Sequence, residues 1–441
     1  MKLTNKEIWI VVYPILLSLM MEHLINLTDT AFLGRVGEVE LGASALAGVY
    51  YMAIYMLGFG FSIGAQILIA RRNGEGRYDE IGKVFYQGVL FLLLLAVVMF
   101  TVSRCYSPVV LRHLIDSEQV YEATVKYTDW RVFGFFFSFV AVMFRAFYVG
   151  ITETSILTIN SVVMVLTNVV LNYILIFGKF GMPALGIEGA AIGSSVSELV
   201  SVLFFVIYTW KRVDGRKYGF FHFGGFQAKV LFRILSISIW TMLQAFISIA
   251  TWFLFFVAVE HLGERPLAVS NIVRSIGTLF FMPVTAFATT SSSLVSNLIG
   301  AGRPELVFPA CMKIIRMCFM LIGVLLLFTF IFPETVLRIY TDDASLIQSA
   351  KASLFVMSLG YFIAPAASIL FHTISGTGNT RWALYVEFAT LLVYIAYIVY
   401  VVVYLKAEVA VCWTADVLYW IVLFIFSWWY MKRASWQKKS I

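Results

Sequence analysis

The stretch "YPILLSLMMEHLINLTDTAFLGRVG", residues 13–37, is apolar enough to cross a bilayer, yet it carries two carboxylates, Glu22 and Asp29. A bilayer-spanning helix needs roughly 20 mostly apolar residues. An acid at that depth is costly, and a helix used only for packing avoids it. Pro14, Ser18, Glu22, Asn26 and Asp29 follow one another at spacings of 4, 4, 4 and 3, so a helix puts all five on one face. Pro14 removes one backbone hydrogen bond and can kink that helix. The stretch reads as a membrane helix with a titratable stripe beside a bend.

The rest of the chain has the same character. Hydrophobic residues make up 61% of its 441 residues and charged residues 13%, too few charges to cover a soluble domain of this length. Twelve apolar segments are expected to span, near 8–33, 43–70, 83–103, 127–149, 157–177, 188–210, 231–259, 267–298, 308–332, 351–374, 383–405 and 408–430. The N-terminal "MKLTNKEIW" runs into the first of them without a small-residue cleavage site, so a cleaved leader is not expected. Cys105, Cys311, Cys318 and Cys412 lack metal-ligand spacing and read as buried small hydrophobes. The net charge of +7 is a topology signal and no sign of nucleic acid. With a cytoplasmic N-terminus, inside loops hold about twice as many Lys and Arg as outside loops, which also puts the C-terminus in the cytoplasm.

The sequence repeats at an offset of 226: "GEVELGAS" at 37–44 aligns with "GERPLAVS" at 263–270, "GEGR" at 74–77 with "GAGR" at 300–303, "VLRHLID" at 110–116 with "VLRIYTD" at 336–342, and "GITET" at 150–154 with "GTGNT" at 376–380. Each half holds six spans, an even number, so both enter the membrane the same way. The expected fold is an all-α polytopic membrane protein, twelve transmembrane helices in two six-helix lobes related by a pseudo-two-fold axis along the membrane normal. The lobes are expected at 1–210 and 231–441, tied by a basic cytoplasmic linker at 211–230, with substrate bound between them.

An intramembrane acid can take up a proton. With several oxygen ligands around it, it can instead take a hard cation such as Na⁺. The fifth span offers Asn168 and Asn172 at i, i+4, and the sixth offers Ser194, Ser197, Glu198 and Ser201 on one face. Amides and hydroxyls of this kind also bridge helices, which is the plainer reading for the serines. At offset 226 the five residues of the first stripe become Trp240, Gln244, Ser248, Trp252 and Phe255, so coupling chemistry is expected in the first half. The other ionisable groups inside spans are Asp129, Arg131, Arg145, Arg274, His372 and Glu387. Structural pairing is expected for the arginines: Arg145 with an acid of the first half, Arg274 with Glu387. The roles of Glu387 and His372 stay open. Gly58, Gly60 and Gly64 form a small-residue face for close helix packing.

These residues resemble the multidrug and toxic compound extrusion (MATE) family. The likeness covers nearly the whole chain and rests on Pro14 followed by "NLTDTAFLGRVG", on "GFSIGAQILIARRNGEG", "FMPVTAFATTSSSLVSNLIGAGRPE", "FYVGITET" and "TISGTGNT", and on "NVVLNYILIFGKFGMPALGIEGAAIGSS". The resemblance implies a central cavity and export of organic, cationic and amphiphilic compounds driven by H⁺ or Na⁺, without a cofactor. It makes Asp29 the first-lobe coupling residue, with Asn168, Asn172 and Ser194 as its companions and as the ligands of any Na⁺. Glu22 has no place in the family pattern and rests on its position in the stripe. Second-lobe acids of other branches are missing, since Ser248 stands in the seventh span and "APAASILF" carries none in the tenth. Small organic molecules and membrane lipid are the expected partners of a monomer in the inner membrane. The alternatives are a lipid-linked precursor flippase, disfavoured by the acidic first-lobe face, and an intramembrane enzyme, disfavoured by five scattered histidines without an HExxH.

Overall fold

The computed structural model describes residues 4–222, 224–433 and 436–438. The helices run α1 Asn5–Val36, α2 Glu38–Gly74, α3 Asp79–Leu114, α4 Glu118–Arg131, α5 Gly134–Gly150, α6 Ser155–Phe177, α7 Ile187–Arg212, α8 Ala228–Glu260, α9 Glu264–Gly300, α10 Val307–Ile331, α11 Pro333–Arg338, α12 Ala344–Gly360, α13 Ala364–Gly376, α14 Thr380–Ile398, α15 Val409–Cys412 and α16 Thr414–Arg433. A π-helical turn, Val399–Tyr404, extends α14. No strand occurs among the described residues. Ten helical stretches are long and apolar enough to cross a membrane, and two bent pairs, α4 with α5 and α12 with α13, bring the spans to twelve.

The bent pairs depart from expectation. The fourth span was expected as one helix over 127–149. It breaks after Arg131 by 52°, which leaves Asp129 and Arg131 on α4 and Arg145 on α5. The tenth breaks between Gly360 and Ala364 by 44°. Pro365, second residue of α13, lacks the N–H needed to continue an earlier helix but suits the first turn of a new one. Both leading helices carry a side-chain cap: Ser117 accepts from the Val120 amide at 3.5 Å, and Asp343 from the Ser345 amide at 2.9 Å. These two caps stand 226 residues apart, as do the starts of α2 and α9, Glu38 and Glu264, and their ends, Gly74 and Gly300. The sequence repeat is therefore a structural repeat.

The chain forms two compact units, Tyr13–Met242 and Met1–Val12 with Leu243–Ile441. The division falls within α1 and α8, so the first turns of α1 group with the second unit, where Trp9 lies 6.0 Å from the Phe287 ring. In the first unit, α2 meets α8 at glycines. A Cβ on Gly60 would come within 2.6 Å of the Met242 Cα, and one on Gly64 within 2.6 Å of the Ser238 Cα. Ser238 and Thr241 donate to the Phe61 and Gly60 carbonyls at 3.0 and 2.7 Å across that contact. Gly58 faces the Phe139 ring in the same way.

Candidate functional site

Three helices of the first unit, α1, α6 and α7, converge on Asp29. After α6 the chain turns back through Gly178, whose φ is +65°, and the Leu185 amide donates to the Leu175 carbonyl at 2.9 Å. Gly189 then lies so close to the Leu175 backbone that a Cβ would come within 2.7 Å of it, and Gly193 lies against the Asn172 amide. With no side chain between them, α7 brings Ser194 onto Asn168. The far end of α1 is held by Leu33, buried with Ala43, Ala47, Tyr127, Ile176, Ile187, Ala190 and Ala191.

The polar groups close into a ring. The Asn172 Nδ2 donates to Asp29 Oδ1 at 2.5 Å and to Asn168 Oδ1 at 3.2 Å. The Asn168 Nδ2 donates to Ser194 Oγ at 3.2 Å, and that hydroxyl donates to Asp29 Oδ2 at 3.3 Å. Asn168, Asn172 and Ser194 are buried and Asp29 is half-buried. Asn172 Oδ1 is buried without a hydrogen-bond partner. Asp29, Asn168 and Asn172, singled out by sequence spacing, thus meet Ser194, which the family resemblance added.

Glu22 does not join them. Arg145 donates to its Oε1 at 3.4 Å, as does Ser18, whose hydroxyl also contacts that of Ser161 at 2.7 Å. The Glu22 side chain remains 41% exposed, so the expected pairing of Arg145 with a first-half acid is present but loose. The Thr158 hydroxyl donates to the Pro14 carbonyl at 3.1 Å, tying α1 to α6 at its proline. Asn26 is exposed.

Structural pairing was expected for the arginines, but the partner of Arg131 was not named. Arg131 grips Glu198 with two hydrogen bonds, of 2.9 and 2.7 Å, and its guanidinium lies 3.6 Å from the Tyr51 ring centroid. The Tyr51 hydroxyl donates to Glu198 at 3.1 Å. A Cβ at Gly134 would strike this cluster, so the glycine that opens α5 leaves the room in which it forms. The sequence held both halves of it, Arg131 among the arginines expected to pair and Glu198 on the polar face of the sixth span, but nothing in it joined the two.

The second unit corrects one expectation. Arg274 does not pair with Glu387; it lies 5.6 and 5.4 Å from the rings of Trp252 and Phe256. Glu387 is held by hydroxyls: Ser248 donates at 2.6 Å and Tyr419 at 3.1 Å. The aromatic faces offer Arg274 a partner as apolar as its surroundings. His372 keeps its Nδ1 on the Ser368 carbonyl at 2.9 Å. Three cysteines are buried as expected, but Cys105 is exposed, because it lies near the end of α3 on its outer face. Among the described residues no three His, Cys, Asp or Glu side chains gather where they could hold a metal ion.

Twelve spans, an internal repeat and ionisable groups set inside membrane-crossing helices define a multi-pass integral membrane transporter. The chain belongs to the MatE family, whose model matches residues 14–174 and 236–401. Among curated proteins it is 25% identical to a probable multidrug resistance protein NorM of Thermotoga maritima, over 88% of this chain and 83% of that one. Among solved structures it superposes with a TM-score of 0.90 on an outward-facing multidrug resistance MATE family transporter, at 20% identity and over 99% and 97% of the two chains. A MOP superfamily transporter from Pyrococcus furiosus, described as having a binding pocket of reverse polarity, gives 0.88 at 22% identity over 99% and 97%.

Proposed function

We propose that the protein is a cation-coupled antiporter that exports organic compounds, with Asp29 binding the coupling ion. One observation carries this reading. Asp29 is met by an amide and a hydroxyl and forms no ion pair with any described residue, whereas Glu22 and Glu198 of the same unit each have an arginine. An acid already neutralised by a guanidinium has little attraction left for a cation, whereas Asp29 keeps its charge for one. A proton fits the ring as it stands, since a hydroxyl donates or accepts equally well. Na⁺, as cargo, takes oxygens only, so the two amides would have to turn Asn172 Oδ1 and Asn168 Oδ1 toward Asp29.

Loading the ion removes the charge that holds the Asn172 amide. The tie between α1 and α6 weakens, and α1 redistributes between its bend states about Pro14. The ion drives this only through its different affinity for the two states. For the cargo, the half-exposed Glu22 is paired only loosely, with Arg145 and Ser18 each at 3.4 Å, and so keeps an attraction for a cation that the tightly gripped Glu198 has lost. Along α2 beside it, Tyr55 and Phe59 stack at a centroid spacing of 6.1 Å. A carboxylate next to aromatic faces suits an amphiphilic organic cation. The multidrug resistance relatives support export, and the loop charges support an inner-membrane protein with both termini cytoplasmic.

The test is export of a fluorescent cationic dye from proteoliposomes under a proton gradient alone, then a sodium gradient alone. Export driven by one gradient and lost in Asp29→Asn is expected, and it names the ion. Undiminished export by Asp29→Asn would sink the reading.

A further inference from the structure

We infer that Glu387 is a second proton-binding site, built within the second unit from α8, α14 and α16. Its side chain is 2% exposed, inside a helix that crosses the membrane. Its hydrogen-bond partners are the hydroxyls of Ser248, at 2.6 Å to Oε1, and of Tyr419, at 3.1 Å to each carboxylate oxygen. No arginine, lysine or histidine pairs with it among the described residues. An isolated ion in such surroundings is neutralised or takes up a counter-charge.

The repeat shows how this arose. At offset 226, Glu22 corresponds to Ser248 and Ser161 to Glu387. In the first unit the acid stands on α1 and the serine on α6; in the second the serine stands on α8 and the acid on α14. The acid has changed helix at an equivalent place. Its neutraliser has not followed, for Arg145 corresponds to Phe371. Glu22 keeps an arginine at 3.4 Å and Glu387 has only hydroxyls. A guanidinium can only donate and so holds its acid ionised. Ser and Tyr hydroxyls donate to a carboxylate and accept from a carboxylic acid alike, so this cage holds Glu387 in either state without rearrangement. Two carboxylate oxygens and two hydroxyls are fewer ligands than a hard cation takes, and a proton needs only one.

The neighbouring ionisable groups do not supply the missing charge. On α16, Asp416 accepts from Trp420 Nε1 at 3.3 Å. On α14 itself, Tyr394 packs its ring 5.8 Å from that of Tyr419. On α13, His372 is turned to the Ser368 carbonyl, and on α9, Arg274 lies over Trp252 and Phe256.

Binding at Glu387 stands apart from the antiport reading; its use in transport rests on it. The test is infrared difference spectroscopy of the purified full-length protein through a pH titration, for wild type, Asp29→Asn, Glu387→Gln, Ser248→Ala and Tyr419→Phe. A carboxylic-acid band that survives Asp29→Asn, vanishes in Glu387→Gln and shifts in frequency in Ser248→Ala and Tyr419→Phe is expected. The last two keep the acid and report on its cage even where Glu387→Gln does not fold. Spectra unaltered by all three second-unit variants would overturn the assignment. So would displacement of the band by Na⁺ at fixed pH. A normal exporter in Asp29→Asn would sink the coupling role of Asp29 and leave this band untouched.

Discussion

Asp29 and Glu198 are carboxylates of one unit with opposite surroundings, and substitution should separate them. Asn172→Ala removes a hydrogen bond to a charged acceptor, a bond worth about 1.5–3 kcal/mol. The ion concentration for half-maximal export should therefore move by roughly 10–100-fold. Asn26→Ala, on an exposed side chain of the same stripe, should leave it alone. Equal effects of the two in a dye-export titration would count against the ring. For Glu198 the expected change is in stability. Arg131→Met leaves a largely enclosed acid without its partner, at a cost of up to about 3 kcal/mol, the low end for a fully buried pair. Adding Glu198→Gln should recover most of the lost melting temperature, as followed by thermal unfolding in detergent; no recovery would mean that the pair is not the cause. Sequence spacing picked out Asp29, Asn168 and Asn172 because the helical period alone decides which residues share a face, and the family resemblance supplied Ser194, one of four polar residues on its face. It did not find the Arg131–Glu198 grip, because which faces meet depends on helix crossings that no local pattern encodes.

At the scale of the element, glycine decides how closely helices approach. Gly64→Leu would drive a side chain into the Ser238 backbone and part α2 from α8. At Gly48, on the same helix, an added Cβ meets nothing within 4 Å, which leaves Gly48→Leu open space to enter. The first should yield aggregated or poorly melting protein and the second a normal one; size-exclusion profiles and melting curves of the two variants check this, and matching behaviour would refute the close contact. The twelve spans were legible because apolar runs of bilayer length have no other common use. The break after Arg131 was not, since "WRVFGFFFSFV" at 130–140 stays apolar across it and the bend follows from partners on α2 and α7.

For the whole molecule, orientation is the property that loop charge proposes and chemistry can read. Cys105 is the one exposed cysteine of the four, and it sits next to Arg104 at the end of a span assigned to the outside. A membrane-impermeant thiol reagent applied to intact cells should label it, and Cys105→Ser should abolish the signal. Labelling only after lysis would invert the topology. The two-fold plan was legible in four short matches at one offset, while the exchange of acid and serine between halves needed the side-chain contacts to give it meaning. The ring at Asp29 has a further consequence for the energy economy of a cell. Both carboxylate oxygens are already engaged, so Na⁺ could settle on Asp29 only by displacing donors that hold α1 in place, whereas a proton would enter the ring as it stands. Were Na⁺ the coupling ion, idle turnover would thereby be discouraged, and a resting transporter of this design would dissipate little of the gradient that the cell spends metabolism to maintain.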